Sequence, residues 1–220
     1  MNKELKKRVI TSICLFSLLT IMFFYTFILI ISLIIIGIIA WIEFYALISK
    51  ILLNDNIKDK VLKFLYKSIS LIYLSLIVWM IIITKSKNNE LEIVVIYSIM
   101  ISIMSDIGGL VIGKLFKGKK LTRISPKKTI SGSVGSFTFS LILIPFFYKY
   151  FADYEALSFI VITLAISLTS QLGDLFISYL KRKAKVKDTS DLLPGHGGVL
   201  DRIDGIIFSI PIGLLILNYF

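Results

Sequence analysis

The chain has 220 residues, of which 56% are hydrophobic and 18% charged, with a formal net charge of +11 and a mean hydropathy of +0.88. A soluble domain of this length carries about a quarter charged residues, so an ordinary soluble globular domain is excluded. The excess of Lys and Arg suits cytoplasmic loops facing anionic lipid headgroups; no module for binding nucleic acid is visible, and no nucleic-acid partner is expected.

The chain opens "MNKELKKRVITSICLFSLLTIMFF", basic and then apolar like a signal peptide. No small-residue cleavage site follows and the apolar run continues, so the segment reads as a retained first span. Cys14 lies inside it, and one thiol makes neither an internal disulfide nor a thiolate metal cluster. From Val9 to Ile48 the one charged residue is Glu43. That run is about twice the ~20 residues that cross a bilayer, which predicts a tight turn at Tyr25–Thr26. Further apolar runs predict spans at 68–84, 92–112, 131–148, 156–178 and 203–219, after 9–24 and 27–48. The expected fold is all-α: a polytopic membrane protein with about seven transmembrane helices. Residues 1–90 hold the first three spans and 91–220 the polar motifs.

Placing the N-terminus in the cytoplasm puts 22 of the 25 Lys and Arg residues on that side, leaving Lys85, Lys87 and Lys149 outside. It also puts 113–130 and 179–202 together on the cytoplasmic face. No repeat is evident, and the longest polar stretch, 181–198, is too short to fold alone.

Ionisable groups in or beside membrane helices are costly and mark function. Glu43 stands in "WIEFY", Asp106 in "SDIGG", Asp174 in "QLGDL", and Asp201 and Asp204 in "DRIDG". The last two are three apart and share a helix face. Carboxylates beside many bases suit a polyphosphate carrying a hard divalent cation, the acids holding metal and the bases phosphate oxygens. Taken singly, each acid is as readily explained by an ion pair with a neighbouring base. "PGHGG" (194–198) is a loop whose backbone can present N–H groups to an anion just before a helix, or else a plain turn. His196, the sole histidine, suits a ligand contact, proton transfer or a loop cap; a zinc site of the usual kind is not expected. "GGLVIGKL" (108–115) nearly spells a phosphate loop, but Leu115 replaces the required hydroxyl and no strand precedes it. Gly109 and Gly113, four apart, also match a membrane helix-packing motif.

From Ser178 the chain reads "SYLKRKAKVKDTSDLLPGHGGVLDRID". This resembles the signature of the phosphatidate cytidylyltransferases, or CDP-diglyceride synthases: S-x-apolar-K-R, then K-D, then P-x-H-G-G, then D-R-apolar-D. Ser178, Lys181, Arg182, Lys187, Asp188, His196, Gly197, Gly198, Asp201, Arg202 and Asp204 all match it. "SDIGGLVIGKLFKGKKLTRISPKKTISG" (105–132) is similar to a second family segment at Asp106, Gly113, Ser125, Pro126, Lys128, Thr129 and Gly132. There Gly109 and Leu110 replace the usual Ala-Tyr, and Ser131 replaces an acid or amide. "WIEFYALI" is similar to the end of the family's second span, and the chain is short for the family, which suggests a missing or merged span.

The resemblance implies conversion of CTP and phosphatidate to CDP-diacylglycerol and pyrophosphate, with Mg²⁺ and a second, monovalent cation such as K⁺. It assigns catalysis to Asp174, Asp201 and Asp204, with Asp174 and Asp201 as metal ligands. Asp106, Lys128, Ser178, Lys181, Arg182, Lys187, Asp188, His196, Gly197, Gly198 and Arg202 become substrate contacts. Expected partners are CTP, phosphatidate and membrane lipids, at a plasma-membrane site facing the cytoplasm; a homodimer is compatible with the sequence. The competing readings are a cytidylyltransferase for another lipid phosphate and a cation-coupled transporter. The transporter predicts acids at the midplane and an inverted repeat, neither of which is visible. The CDP-alcohol phosphotransferase pattern is absent.

Overall fold

The computed structural model of the protein describes residues 3–53, 56–87, 89–122, 125, 128–152 and 154–219; Arg123, Pro126 and Lys127 of the basic segment lie outside them. The described residues are helical, with two isolated bridges, Lys120 to Thr129 and Leu193 to Gly197, and no strand.

Helix α1 (Lys3–Phe24) stops at Tyr25, whose backbone is extended (φ −119°, ψ 102°), and α2 (Thr26–Ile51) begins at once. One non-helical residue thus divides the long apolar run where its length demanded. Then follow α3 (Ile57–Lys87), α4 (Asn89–Phe116), α5 (Ile130–Leu141), α6 (Ile144–Phe147) with a 3₁₀ turn (Tyr148–Phe151), and α7 (Ala156–Lys183). Two pieces close the chain, α8 (Leu200–Ile203) and α9 (Ile206–Tyr219). Among the described residues six segments are long and apolar enough to cross a membrane, so the protein is a multi-pass membrane protein. The seventh expected span, 203–219, is broken at Asp204–Gly205. Asp204 Oδ1 accepts the Gly205 N–H at 3.0 Å, a local bond that competes with helix continuation. The 14 residues of α9 reach about 21 Å at 1.5 Å per residue, short of the ~30 Å hydrocarbon layer.

By contact the chain forms two compact units, Met1–Ile82 with Leu180–Ile203, and Ile83–Tyr179 with Asp204–Phe220. The first unit buries Ala40, Leu47, Ile48, Leu74 and Ile77, while Phe16, Phe27 and Trp79 face outward, as lipid allows. Trp41 Nε1 donates to the Lys67 carbonyl at 3.1 Å, and the Lys67 ammonium lies 4.8 Å from the Tyr45 ring centre.

The second unit is built on small residues. A Cβ on Gly108 would stand 2.4 Å from the Gly135 carbonyl oxygen, and one on Gly132 2.8 Å from that of Gly109. Helices α4 and α5 therefore approach backbone to backbone, as small-residue motifs permit in membranes. Buried hydroxyls link the elements: Ser102 with Ser170 (2.7 Å), Ser140 to Ser167 (2.9 Å), Ser136 to the Ser105 carbonyl (2.7 Å) and Tyr97 with Thr163 (2.6 Å). Tyr97, Phe147, Phe151 and Phe159 form an aromatic cluster beside this ladder.

Two alanine substitutions separate this close approach from ordinary helix packing. At Gly135 a Cβ would meet Ile112 Cβ at 2.4 Å and the Gly108 oxygen at 2.6 Å, whereas at Gly37 it meets one Val78 methyl at 3.2 Å. Gly135→Ala is expected to destabilise by about 1–3 kcal/mol or more, the range for overpacking. Gly37→Ala is expected to leave thermal unfolding in detergent close to wild type.

Candidate functional site

The predicted site residues fall into two groups, one in each unit. In the first unit they lie on the end of α7, the following loop and α8. Lys185 (φ 55°), Gly195 (φ 78°) and Gly197 (φ 85°) turn that loop. The amides of His196 and Gly197 both donate to the Leu193 carbonyl (2.8 and 3.1 Å), and Leu193 N–H donates back to Gly197 (2.8 Å). Gly198 could be nothing else, because a Cβ there would lie 1.9 Å from Thr189 Oγ1 and 2.5 Å from Glu43 Oε2.

Two carboxylates organise this loop. Asp201, its side chain 3% exposed, accepts the Lys181 ammonium at Oδ1 (2.6 Å). Its Oδ2 accepts the Thr189 amide (2.8 Å), the Thr189 hydroxyl (3.0 Å) and the Gly198 amide (3.0 Å). Burial alone would raise the Asp201 pKa; the Lys181 hydrogen bond, the Thr189 and Gly198 amides and the Lys181 charge outweigh it and hold the group below its ordinary 3.8. Glu43, 4% exposed, reaches the same loop from α2. Its Oε1 accepts the Ser190 hydroxyl (2.6 Å) and Val199 amide (3.0 Å), and its Oε2 the Thr189 hydroxyl (2.8 Å) and Leu200 amide (2.8 Å).

His196 is held by its backbone: its carbonyl accepts Nε and Nη2 of Arg202 at 3.1 and 2.5 Å. Its Nε2 lies 3.3 Å from the Ser12 hydroxyl, while its buried Nδ1 has no partner among the described residues. The neighbouring Thr11 hydroxyl donates to the Pro194 carbonyl at 2.9 Å, so α1 lies against the histidine loop. Asp188 sits beside Gly197. Arg182 and Lys187 project outward, the former 3.5 Å from the Val186 carbonyl.

The second unit holds a cavity of about 300 Å³ lined by Asp106, Lys128, Gln171 and Asp174, with Gly109, Leu110 and several hydroxyl residues. Lys128 and Asp174 form an ion pair across it, and Ser178, one turn along α7, donates to Asp174 Oδ1 at 3.2 Å. Thr129 caps α5 by accepting the Gly132 amide at 3.0 Å, which places Lys128 at the cavity wall. The Ser133 hydroxyl donates to Gln171 Oε1 at 2.5 Å, leaving the buried Gln171 Nε2 without a partner among the described residues. Ser131, at a position where the resemblance expects an acid or amide, bonds Thr129 Oγ1 (3.0 Å) instead. Asp204 is buried in this unit, with its backbone oxygen against Gly173.

The geometry thus gathers Lys181, Asp188, His196, Gly197, Gly198, Asp201 and Arg202 in one unit, and Asp106, Lys128, Asp174 and Ser178 in the other. It adds residues that sequence reasoning left out of the site. Thr189 and Ser190 occupy unspecified motif positions; their one signal is a hydroxyl pair next to "KD". Gln171 stands three residues before Asp174 in a helix whose polar residues are few. Glu43 is conspicuous as a lone charge, but its partners are 146 or more residues away.

For metal, the residues divide as well. Among the described residues no group of three or more His, Cys, Asp or Glu could hold an ion by itself. Asp106 and Asp174 lining one cavity fit a cation that keeps several waters and takes its remaining oxygens from a substrate phosphate, as Mg²⁺ does. Asp201 already carries an ammonium and three further donors, so a cation there would have to take the place of Lys181.

A cytidylyltransferase family model matches residues 1–220 of the chain. A phosphatidate cytidylyltransferase of Rickettsia prowazekii (strain Madrid E) is 37% identical over 161 residues, 67% of this chain and 70% of that protein. The Rickettsia typhi (strain ATCC VR-144 / Wilmington) protein of that name is 40% identical over 142 residues, 60% of this chain and 61% of its own. The Staphylococcus aureus (strain COL) protein is 42% identical over 121 residues, 54% of this chain and 46% of its own. The chain therefore spans less than two thirds of the length of several of the relatives it matches.

Because the Asp201 pKa is depressed in the fold, the structure its carboxylate contributes is complete above pH 3.8 and is lost as pH falls below it. Hydrogen exchange, corrected for intrinsic rates, checks this at the Thr189 and Gly198 amides. Protection is expected to hold from neutral pH down to that value and then fall. Asp201→Asn should lower it by about tenfold or more at neutral pH, the size of a charge-assisted hydrogen bond, and remove the acid-dependent step.

Proposed function

The chain belongs to the cytidylyltransferase family, and from that premise we propose that it transfers the cytidylyl group of CTP to phosphatidate, giving CDP-diacylglycerol and pyrophosphate. The observation that carries this reading is the cavity in which Asp106, Asp174 and Lys128 stand together. Two acids and a base lining one cavity suit a phosphate that arrives with a hard cation.

A phosphate oxygen of phosphatidate attacks the α-phosphorus of CTP. The bond from that phosphorus to the oxygen bridging toward the β-phosphorus breaks, and the oxygen and its electron pair leave with pyrophosphate. Little covalent work falls to the protein; placing two anions in line and compensating their charge supply the acceleration. Lys128 holds a phosphate oxygen at the cavity, with Ser178 steadying Asp174 at its other oxygen. Gln171, with an amide N–H₂ still to be satisfied, offers a neutral donor to the same ligand. In the first unit Lys181, Arg182, Lys187 and Arg202 are the phosphate-binding bases, and His196 adds a donor at Nδ1. Mg²⁺ bound at Asp106 and Asp174 would supply charge neutralisation at the reacting phosphates; a monovalent cation such as K⁺ is a second candidate ligand of these acids.

The distribution of Lys and Arg supports a cytoplasmic N-terminus, with the basic segments 113–130 and 179–202 facing the cytoplasm, where CTP is found. The lipid substrate enters laterally. Its acyl chains lie along apolar helix surfaces, so discrimination among chains is expected to be weak, each methylene deciding only about 1 kcal/mol.

Purified protein in mixed micelles with labelled CTP and phosphatidate tests the reading. CDP-diacylglycerol should form only with Mg²⁺, stop on chelation and resume on readdition. Asp174→Asn and Lys128→Gln should each lower kcat by about 10²–10³, the usual effect of removing one preorganised electrostatic contact. Folded protein that ignores phosphatidate but uses another lipid phosphate would overturn the substrate, and turnover unaffected by either substitution would overturn the site.

A further inference from the structure

Glu43 is the one charged residue in a forty-residue apolar stretch, and the proposed reaction makes no use of it. A carboxylate in a membrane helix is expensive unless its oxygens are satisfied. Among the described residues four donors reach Glu43, all from the loop and the start of α8: two hydroxyls, from Thr189 and Ser190, and two amides, from Val199 and Leu200. The amides belong to Val199, just before α8, and Leu200, its first residue, where N–H groups have no intrahelical partner. Among the described residues no cation is in its donor set, so Glu43 is built to hold neutral N–H and O–H groups in place.

One of those groups is shared. Thr189 Oγ1 lies 2.8 Å from Glu43 Oε2 and 3.0 Å from Asp201 Oδ2. A hydroxyl has one hydrogen, so Thr189 serves one acid at a time while its backbone amide stays on Asp201 at 2.8 Å. Gly198 packs into the same corner, next to Thr189 Oγ1 and Glu43 Oε2, and its amide binds Asp201 at 3.0 Å. The carboxylate on α2 and the acid of the "DRID" motif are thus joined through one threonine and one glycine.

We propose that Glu43 is a positioning residue for Asp201: acting through Thr189, it sets where the Asp201 carboxylate stands and so sets the rate of cytidylyl transfer. An amide is a poor replacement, because its N–H₂ would point at donors that need an acceptor. The kinetic part rests on the proposed reaction; the anchoring part does not.

The test uses full-length Glu43→Gln, Thr189→Val, Thr189→Ser and the double variant Glu43→Gln/Thr189→Val in detergent. Two readouts are taken: steady-state kinetics with CTP and phosphatidate, and the rate of trypsin cleavage after Lys185 and Lys187. Glu43→Gln should lower kcat by about 10²-fold, the cost of a small misplacement of an acid that the resemblance assigns to catalysis, with KM for CTP changed far less. Thr189→Val keeps its size and its backbone bond to Asp201, so it should fold, and should lower kcat by about tenfold, with Thr189→Ser restoring it. The double variant should lose no more than Glu43→Gln alone, since coupled residues are not additive. Cleavage should quicken about tenfold or more in Glu43→Gln. Additive losses, wild-type kcat in Thr189→Val, or a rise in KM alone would overturn the positioning role. Cleavage unchanged in Glu43→Gln would overturn the anchor whatever the kinetics. If wild-type protein makes no CDP-diacylglycerol while Glu43→Gln still opens the loop, the proposed reaction fails and the anchor stands.

Discussion

Burying a carboxylate on an apolar helix forces the rest of the first unit into shape. Glu43 cannot remain there unless donors are brought to it. The chain supplies them from a loop more than 140 residues on. To deliver two hydroxyls and two amides to one side chain, the loop must turn sharply. Hence Gly197 has positive φ, Gly198 has no room for a side chain, and α8 begins with its free N–H groups aimed at an acid. Asp201 binds the same loop through Thr189 and Gly198, adding Lys181 to balance its charge. A polar cluster between apolar stretches is therefore one hydrogen-bonded body with few unsatisfied groups.

The second unit meets the opposite requirement, bringing helices close enough to leave a polar-lined cavity. Glycines at 108, 109, 132 and 135 let α4 and α5 touch through their backbones. Serine hydroxyls then replace the missing side-chain packing with short hydrogen bonds. The cavity opens where that packing gives way to Asp106, Lys128 and Asp174. In each unit an acid that the family resemblance assigns to catalysis holds a lysine, Asp174 with Lys128 and Asp201 with Lys181. In the proposed reaction, phosphate competes for each lysine and a cation for Asp174, so the Lys128–Asp174 pair is one that substrate re-partners.

Much of this was legible in the sequence, for reasons that differ from residue to residue. Apolar run length placed the helices and even the turn at Tyr25, because a bilayer permits few alternatives. It missed the break at Asp204–Gly205, since the surrounding residues are as apolar as a continuous span and the break comes from a local side-chain bond and tight packing. The motif residues were readable because their types are chemically specific. Their supports were not: Thr189, Ser190 and Gln171 are common polar residues whose roles depend on partners far away in the chain. Glu43 shows the boundary between the two cases. Its cost was obvious from its neighbours, while its purpose required knowing which loop folds back onto it.

In the proposed reaction a phosphate oxygen of phosphatidate attacks the α-phosphorus of CTP. This attack is tested most directly by supplying phosphatidate with ¹⁸O in its non-bridging phosphate oxygens and weighing both products. Every label is expected to stay in CDP-diacylglycerol, and pyrophosphate to carry none. Label in pyrophosphate, or pyrophosphate released without a labelled lipid product, would contradict it.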